Sequence, residues 1–241
     1  MYHYGIIGYP LEHSFSARYF TEKFSREGID AEYRLFPISN VSVVREMLYC
    51  LDGFNVTFPY KQSVMSYLSD IDSIAQTIGA VNVVCGNKGY NTDWIGFVES
   101  LRPLLQSTDN QALILGTGGV SKAVQYGLHQ LGIHYTLVSR EPQNESVISY
   151  FDITSDTLER HTIIINCTPL GMYPNVHSLP DIPYQQLSSR HLLYDCVYNP
   201  ARTAFLLRGE EYGARIKNGL QMLEIQADAA WKIWKEQIKT K

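Results

Sequence analysis

The amino-acid sequence predicts an α/β protein with two domains. Short apolar runs alternate with amphipathic helical patterns along most of its 241 residues. A chain of this length is longer than the usual length of a chain that folds around a single hydrophobic core. A polar stretch without periodicity, residues 106–110, separates two series of runs. We therefore expect a first domain over residues 1–105 and a second over residues 106–218.

Strands and helices alternate in the expected first domain. Apolar runs predict strands, and apolar residues spaced three and four apart predict helices. The predicted strands are 4–8, 32–36, 54–56 and 80–84, and a turn at Gly86-Asn87 leads to a further extended segment at Tyr90. The predicted helices are 16–27, 41–51 and a stretch after Tyr60.

The second series begins with a strand over residues 111–116 and a helix over 120–131. Further strands are predicted at 135–138, 162–166 and 192–196. They are apolar on both faces, which is typical of a parallel sheet that helices cover on both sides. The last segment, 219–239, has one apolar stripe at helical spacing and predicts a long helix.

Composition restricts the function classes. Hydrophobic residues make up 45% and charged residues 18%, with a net charge of -4 and a pI near 6.0. This balance disfavours the broad basic face that nucleic-acid binding requires. The first ten residues contain no Lys or Arg, which argues against a targeting peptide, and no run approaches the roughly 18 apolar residues of a membrane span. We expect a cytoplasmic protein.

The four cysteines, Cys50, Cys85, Cys167 and Cys196, lie far apart and form no C-x-x-C pair. The seven histidines show no metal-ligand spacing beside a carboxylate. We expect neither a metal site nor a disulfide framework. Because each cysteine lies in or beside an apolar run, burial as a small hydrophobic residue is the simplest expectation.

A glycine-rich turn joins the first strand and helix of the second series. Gly116, Gly118 and Gly119 follow the strand directly, and Ser121 stands where a G-x-G-x-x-G motif has its third glycine. Such a turn lets the backbone approach a pyrophosphate at the helix N-terminus. It favours a Rossmann-type dinucleotide site, with a turn that binds no ligand as the alternative.

Ser139, Arg140 and Glu141 follow the second strand of this series. An arginine here can pair with the 2′-phosphate of NADP, whereas a carboxylate suits the ribose 2′-hydroxyl of NAD. The sequence offers both charges side by side, and an ordinary surface arginine is a further alternative.

In the first domain, Asn55, Thr57 and Lys61 lie within seven residues at the end of a strand. Loops after strand carboxyl ends are where open α/β sheets hold ligands. Lys61 could transfer a proton to a hydroxyl or carbonyl, and Asp93 could orient it. A solvated lysine on a helix is the alternative.

Ser14 and Ser16 stand at alternate positions after the first strand, next to His13. Both hydroxyls could bind a carboxylate. Ser16 could instead be only the N-cap of the following helix, and His13 is more readily explained as a structural residue than as a catalytic base.

Together, these motifs resemble the shikimate dehydrogenase family over nearly the whole chain. The segments that carry the resemblance are Gly8-Tyr-Pro10 with His13-Ser14-Phe-Ser16; Asn55-Val-Thr57 with Pro59 and Lys61; Gly79-Ala-Val-Asn82; Asn91-Thr-Asp93; Gly116-Thr-Gly118-Gly119; Asn166-Cys-Thr168-Pro-Leu-Gly171-Met172; Asp195 with Tyr198 and Pro200; and Gly219 with Met222-Leu223 and Gln226.

The resemblance implies reversible, NADP-dependent reduction of 3-dehydroshikimate to shikimate in aromatic amino-acid biosynthesis. It implies Lys61 and Asp93 as the catalytic pair. The implied substrate-binding residues are Ser14, Ser16 and Tyr198 for the carboxylate and Asn55, Thr57, Asn82 and Gln226 around the hydroxyls. The implied cofactor-binding residues are Gly116, Gly118, Gly119, Ser139, Arg140, Thr168, Met172, Gly219 and Met222. It also implies that residues 219–241 return to complete the first domain, in a monomer or homodimer.

Three departures from the family pattern affect these expectations. Ala17 replaces a proline after the second serine, which should change helix entry more than chemistry. Glu141, together with Asn144 in place of a second basic residue, weakens the case for NADP over NAD. The short stretch between Arg140 and Thr162 predicts a trimmed second domain. Two alternatives stay open: a quinate/shikimate dehydrogenase that uses NAD, and a nucleotide-sensing regulator without catalysis.

Overall fold

The computed structural model describes residues 1–11 and 14–238, which form two compact units. The first comprises residues 1–96 and those from 223 onward, and the second comprises residues 97–222. Each combines a six-stranded sheet with helices. The predicted α/β class is confirmed.

The strands are β1 (Tyr2–Gly8), β2 (Ala31–Pro37), β3 (Gly53–Val56), β4 (Asp70–Ile71), β5 (Val83–Cys85), β6 (Lys88–Tyr90), β7 (Gln111–Leu115), β8 (His134–Ser139), β9 (Val147–Ser149), β10 (Ile163–Asn166), β11 (Leu192–Asp195) and β12 (Arg215–Lys217). The helices are α1 (Phe15–Glu27), α2 (Val44–Cys50), α3 (Ser73–Ile78), α4 (Asp93–Leu101), α5 (Gly119–Gln130), α6 (Ser155–Arg160), α7 (Ala204–Glu211) and α8 (Leu220–Ile238).

The sheet of the first unit is mixed, with the order β2-β1-β3-β5-β6-β4. Strand β1 is parallel to β2 and β3, whereas β5 runs antiparallel to both β3 and β6. The simple alternation of strand and helix therefore ends at β3, and β5 and β6 follow each other without a helix between them. The helical stretch expected after Tyr60 is a 3-10 helix, Ser63–Tyr67, followed by the short α3.

An aromatic cluster forms one core of the first unit. Tyr4 of β1 stacks on Trp234 of α8 at a ring-centroid distance of 4.8 Å, and Phe20 of α1 lies 5.2 Å from the same indole. The indole Nε1 of Trp234 donates to the backbone oxygen of Val84 at 3.0 Å. The last helix thus packs into the first unit, with a buried stripe as its spacing predicts.

All strands of the second unit are parallel, in the order β12-β11-β10-β7-β8-β9. Numbered within this unit, the order is 6-5-4-1-2-3, the doubly wound arrangement of Rossmann-type domains. The strand order reverses between β7 and β10, and ligands of such sheets bind at the carboxyl edge of this switch point. The predicted Rossmann-type domain is confirmed.

The second unit contains elements that the apolar pattern did not predict. They are β9, β12, α6 and α7, none longer than eight residues. Despite the short stretch after Arg140, β9 completes one edge of the sheet. Residues 106–110, expected to connect the domains, lie within the second unit, where the Asp109 carboxylate accepts from Arg215 Nη2 at 3.0 Å.

The cysteines depart in part from the expected burial. Cys85 and Cys167 are buried, Cys196 is partly exposed, and Cys50 at the end of α2 is exposed. Met47, Leu48 and Leu51 pack against the core while Cys50 lies off this face, so the expectation for this residue was wrong. Across residues 1–11 and 14–238, no helix combines the length and the hydropathy needed to cross a membrane.

Replacing Trp234 tests how α8 stabilises the first unit. Trp234→Ala should lower the free energy of unfolding by about 3 to 5 kcal/mol, since it empties a buried site. Trp234→Phe keeps an aromatic ring and removes the N–H donor, so it should cost about 1 to 2 kcal/mol. Urea denaturation measures both, and Lys232→Ala on the exposed side of α8 is the control. If both variants lost the same free energy of unfolding, the buried volume of the side chain at position 234 would not be what stabilises the unit.

Candidate active site

Lys61 and Asp93 form an ion pair in the first unit. Lys61 Nζ lies 2.7 Å from Asp93 Oδ2, and the two side chains are 18% and 6% exposed. Lys61 occupies a turn after β3, and its backbone oxygen accepts from the Val81 N–H at 2.7 Å. The alternative of a solvated lysine on a helix is therefore wrong.

Asp93 is the first residue of α4. Its backbone N–H donates to Asn91 Oδ1 at 3.0 Å, and the Asn91 amide donates to the backbone oxygen of Ala80 at 2.9 Å. A carboxylate at this position interacts favourably with the helix dipole. The Asn91 side chain thus ties the first residue of α4 to the segment that precedes β5.

The side-chain amide of Asn82 connects this ion pair to the last helix, α8. Asn82 is 2% exposed, and its Nδ2 lies 2.9 Å from Asp93 Oδ1, 3.0 Å from Thr92 Oγ1 and 3.2 Å from Gln226 Oε1. Its Oδ1 accepts from the Thr92 N–H at 2.7 Å. Gln226 lies on α8, so the last helix brings its side chain to Asn82 from a remote part of the sequence.

A buried chain of hydrogen bonds extends from Asn82 towards α1. Asn55 Nδ2 donates to the Asn82 backbone oxygen at 3.2 Å, and the Tyr33 hydroxyl donates to Asn55 Oδ1 at 2.6 Å. Ser16 hydrogen-bonds the Tyr33 oxygen. Burial holds the pKa of Tyr33 well above its usual value, so this phenol stays a neutral donor. We call Ser16, Tyr33, Asn55, Asn82, Thr92 and Gln226 the polar network.

The two serines occupy different positions. Ser14 is the N-cap residue of α1 and makes no side-chain capping bond, whereas Ser16 lies inside the helix and is buried. The N-cap alternative for Ser16 is therefore wrong, because the helix starts one residue earlier than the pattern indicates. His13 lies outside the described residues.

Thr57 follows β3 directly, two residues beyond Asn55. Its N–H donates to the Ile7 oxygen at 2.9 Å, which extends the β1–β3 ladder, and its oxygen accepts from the Tyr60 N–H at 3.0 Å. These bonds make the sharp turn that brings Lys61 back towards Asp93. The half-buried hydroxyl of Thr57 is thus held at the carboxyl end of the strand.

In the second unit, the glycine turn lies at the switch point of the sheet. Gly116 has a φ of 102°, and a Cβ there would lie 2.9 Å from Thr168 Cγ2. Gly118 is the N-cap of α5 and supplies no side-chain acceptor. The first N–H groups of α5 therefore point towards the turn without a capping side chain, which suits an anion. The turn fits a pyrophosphate.

Ser121 is fully buried in α5, and its Oγ accepts from Gln125 Nε2 at 3.2 Å. The serine in place of a third glycine is thus accommodated inside the helix. Gly119 is the first residue of α5, next to the two glycines that form the turn itself.

The loop after β10 is fixed by a second buried carboxylate. Thr168 Oγ1 donates to Asn166 Oδ1 at 2.6 Å, and Asn166 Nδ2 donates to Asp195 Oδ1 at 3.0 Å. Asp195 also accepts from the Thr203 hydroxyl at 2.5 Å and from the Val197 N–H at 2.9 Å. Burial raises the pKa of Asp195 to about 6, against the lowering effect of these donors.

Ser139 ends β8, and Arg140 and Glu141 follow it at the tip of the strand. Ser139 Oγ accepts from the Glu141 N–H at 3.2 Å, so this hydroxyl braces the turn. Arg140 is exposed, and among residues 1–11 and 14–238 no carboxylate oxygen lies within ion-pair distance of it. Burial raises the pKa of Tyr150 to about 12, and the Arg140 charge opposes this shift. The guanidinium is thus available to an anionic ligand.

The remaining cofactor candidates lie elsewhere in the second unit. Met172 is 47% exposed in the loop after β10, whereas Met222 is buried near the start of α8. Gly219 packs against the strand end, since a Cβ there would lie 2.4 Å from the Cys196 oxygen. Tyr198, a predicted carboxylate binder, is half-buried in the loop after β11 and belongs to the second unit, whereas Ser14 belongs to the first.

Sequence reasoning gave no role to several residues that hold these groups in place. Tyr33, Thr92 and Asn166 each hydrogen-bond a predicted site residue, and Thr203 hydrogen-bonds Asp195, a partner of Asn166. A tyrosine inside a predicted strand was the one available signal, because a buried phenol needs a hydrogen-bond partner.

A doubly wound parallel sheet with a glycine turn at its switch point defines the class of dinucleotide-binding α/β proteins. The family model described as shikimate dehydrogenase substrate binding domain matches residues 6–84.

Three similar proteins extend this match to nearly the whole chain. A protein of Methanococcus vannielii named shikimate dehydrogenase (NADP(+)) is 35% identical, over 95% of this chain and 90% of its own length. The Thermus thermophilus shikimate 5-dehydrogenase, solved with NADP(H) and shikimate, is 27% identical with a TM-score of 0.86, covering 97% and 93% of the two chains. The Listeria monocytogenes shikimate 5-dehydrogenase, solved with shikimate and NAD, is 25% identical with a TM-score of 0.86, covering 98% and 92%. The chain belongs to the shikimate dehydrogenase family.

The pKa of Asp195 makes stability depend on pH. Its folded-state pKa lies above the usual 3.8, so this residue stabilises the fold below about pH 4, and that contribution is lost as the pH rises through about 6. Asp195→Asn is neutral throughout. Its free energy of unfolding relative to wild type should rise by about 3 kcal/mol between about pH 4 and pH 7.

Urea denaturation at several pH values measures this difference, and Asp181→Asn at an exposed position of the same unit is the control. A difference independent of pH would show that Asp195 is not buried as a titrating carboxyl group.

Proposed function

We propose that this chain is an NADP-dependent shikimate dehydrogenase that reversibly reduces 3-dehydroshikimate to shikimate. The observation that carries the proposal is the Lys61–Asp93 ion pair at 2.7 Å, held within the polar network of the first unit. Membership of the family and the dinucleotide-binding fold of the second unit support it. The pathway of aromatic amino-acid biosynthesis follows from the proposed reaction.

The nicotinamide cofactor supplies the hydride when it is bound. Lys61 has the role of proton donor to the substrate oxygen in reduction and of proton acceptor in oxidation. Asp93 orients the ammonium through Oδ2, while its Oδ1 accepts from Asn82, so the carboxylate cannot rotate away without losing a hydrogen bond. Positioning of this kind reduces the entropy lost on the way to the transition state.

Polar groups around the ion pair suit a small polyhydroxylated acid. Asn55, Thr57, Asn82 and Gln226 supply amide and hydroxyl groups for the substrate hydroxyls, and Ser14, Ser16 and Tyr198 are proposed for the carboxylate. Ser16 already uses its proton on Tyr33. Ser14 is therefore the stronger carboxylate binder in this proposal.

The groups proposed to hold the dinucleotide all belong to the second unit. The turn at Gly116, Gly118 and Gly119 and the N-terminus of α5 take the pyrophosphate. Thr168, Met172, Gly219 and Met222 are proposed to line the nicotinamide side. Ser139 and Arg140 take the 2′-phosphate.

The experiments below can also support one of two alternative functions: a dehydrogenase that uses NAD, or a nucleotide sensor without catalysis. Use of NAD is favoured by Glu141 and by the Listeria monocytogenes relative solved with NAD. A non-catalytic nucleotide sensor would have no use for the Lys61–Asp93 pair. We further propose a cytoplasmic location and a monomeric or homodimeric state. Turnover with shikimate and each cofactor separates the alternatives.

Lys61→Met removes the proposed proton-transfer group. Because general acid–base groups contribute about 10² to 10⁴ in rate, kcat should fall by that factor while the KM for shikimate changes only several-fold. Steady-state NADPH formation measures both constants. Lys88→Met removes a lysine paired with the exposed Asp70 in the same unit and is the control. Near-normal turnover of Lys61→Met would exclude the assignment.

Ser14→Ala and Ser16→Ala separate ligand binding from fold stability. A hydrogen bond to a charged group is worth about 1.5 to 3 kcal/mol, so Ser14→Ala should raise the KM for shikimate more than tenfold with little loss of stability. Ser16→Ala should lower stability as well, because Tyr33 loses a partner. Initial rates and urea denaturation are compared for the same samples. An unchanged KM in Ser14→Ala would contradict the carboxylate role.

Arg140 and Glu141 should set the cofactor preference. One charge-assisted contact of about 1.5 to 3 kcal/mol predicts a roughly 10- to 150-fold preference for NADP in kcat/KM. Arg140→Ala should largely erase the preference, and Glu141→Thr should widen it, since it removes a like charge beside the phosphate. Arg160 is exposed and pairs with Asp156, so Arg160→Ala is the control for loss of a surface arginine in the same unit. A wild-type preference for NAD, or an Arg140→Ala variant with unchanged selectivity, would contradict this role.

A further inference from the structure

Two cysteine thiols lie side by side at the carboxyl edge of the second sheet. Cys167 follows β10 and Cys196 follows β11, and their Sγ atoms are 3.8 Å apart. The strands are in register here, with Asn166 opposite Asp195 and the Cys196 N–H donating to the Asn166 oxygen at 3.0 Å. Adjacent strands are about 4.8 Å apart, within the Cα separation of roughly 4.4 to 6.8 Å that a disulfide requires.

Each cysteine lies against a glycine that is proposed to contact the cofactor: Cys167 against Gly116 and Cys196 against Gly219. A Cβ at Gly116 would lie 3.4 Å from the Cys167 carbonyl carbon, and a Cβ at Gly219 would lie 2.4 Å from the Cys196 oxygen. Thr168, the next residue after Cys167, contacts the same Cβ position of Gly116 at 2.9 Å. A displacement of Cys167 therefore disturbs the glycine turn at Gly116, and a displacement of Cys196 disturbs Gly219.

We propose that Cys167 and Cys196 form a thiol–disulfide site, which low-molecular-weight disulfides oxidise and whose oxidation weakens dinucleotide binding. The effect on binding rests on the proposed function, whereas the disulfide itself does not. Sulfur–sulfur bonding at about 2.05 Å would bring the two Sγ atoms, 3.8 Å apart as thiols, nearly 2 Å closer. Both side chains must turn to reach this distance, and the close packing around buried Cys167 does not allow such a turn without rearrangement of its neighbours.

One molecule of a disulfide RSSR oxidises the two thiols in two exchange steps. Cys196 is the more exposed thiol, and as a thiolate it attacks RSSR to form a mixed disulfide with release of one RS⁻. Cys167, 8% exposed, then attacks the Cys196 sulfur, forms the protein disulfide and releases the second RS⁻. Two thiols are oxidised, RSSR is reduced to two RSH, and the two cysteine protons end on the released thiols.

Binding and oxidation must influence each other equally. If oxidation weakens the binding of NADP tenfold, saturating NADP makes the thiol pair tenfold harder to oxidise. For this two-electron couple, a tenfold change equals a shift of about 30 mV towards a more positive reduction potential. A disulfide whose formation left NADP binding unchanged would not show this linkage.

The test uses the full chain with Cys50→Ser, which removes the exposed thiol of α2, with and without Cys196→Ser. Each protein is equilibrated with oxidised and reduced glutathione. Peptide mapping after alkylation identifies the disulfide, and NADPH fluorescence gives the Kd. We expect a Cys167–Cys196 link, a Kd raised at least tenfold and restored by dithiothreitol, and no change of Kd in the Cys196→Ser protein.

A pair that stays reduced throughout, or linked protein with the Kd of the reduced form, would overturn the proposal. So would equal loss of binding in the Cys196→Ser protein. Failure of the reduced protein to bind NADPH or oxidise shikimate would instead count against the proposed function, and the peptide map would still decide whether the thiol–disulfide site exists.

Discussion

Asn82, a buried residue, joins three parts of the chain that are distant from one another in sequence. It contacts the start of α4 through Thr92 and Asp93, the last helix through Gln226, and β3 through its backbone oxygen. A buried amide left without partners costs about 1 to 3 kcal/mol, so each element is held where the amide is satisfied. The orientation of the Asp93 carboxylate, and with it the position of Lys61, depends on this one side chain.

Asp93 and Asp195, two of the buried carboxylates among the described residues, are satisfied by different partners. Asp93 has an ammonium group at 2.7 Å, whereas Asp195 accepts from neutral donors: two side chains and a backbone N–H. Hydrogen bonds alone do not offset the desolvation of Asp195, so its pKa rises. The same residue type thus orients a charged lysine in one unit and braces a loop in the other.

Local pattern predicted the long elements and the glycine turn, because apolar spacing and a strand-to-helix turn are properties of neighbouring residues. The residue types at Lys61 and Asp93 suggested that one could orient the other, and the resemblance implied that they form the catalytic pair. The return of the last helix with Gln226 came from the resemblance alone, because no local signal contains it. Short elements such as β9 and β12 were missed, since three residues carry no periodicity and exist as strands only through their neighbours in the sheet. The partners of Tyr33 and Thr203 depend on tertiary packing and could not be predicted for the same reason.

The return of α8 to the first unit affects the order in which the protein can fold during synthesis. Domains generally fold as units as they leave the ribosome, at about 5 to 20 residues per second. The second unit is continuous, and all of its residues are available once Met222 has emerged. The first unit, although made earlier, lacks Gln226 and Trp234 until later, and its aromatic core stays open meanwhile. The amino-terminal part of the chain is therefore the last to be completed, and it is the part that spends longest exposed to chaperones and proteases.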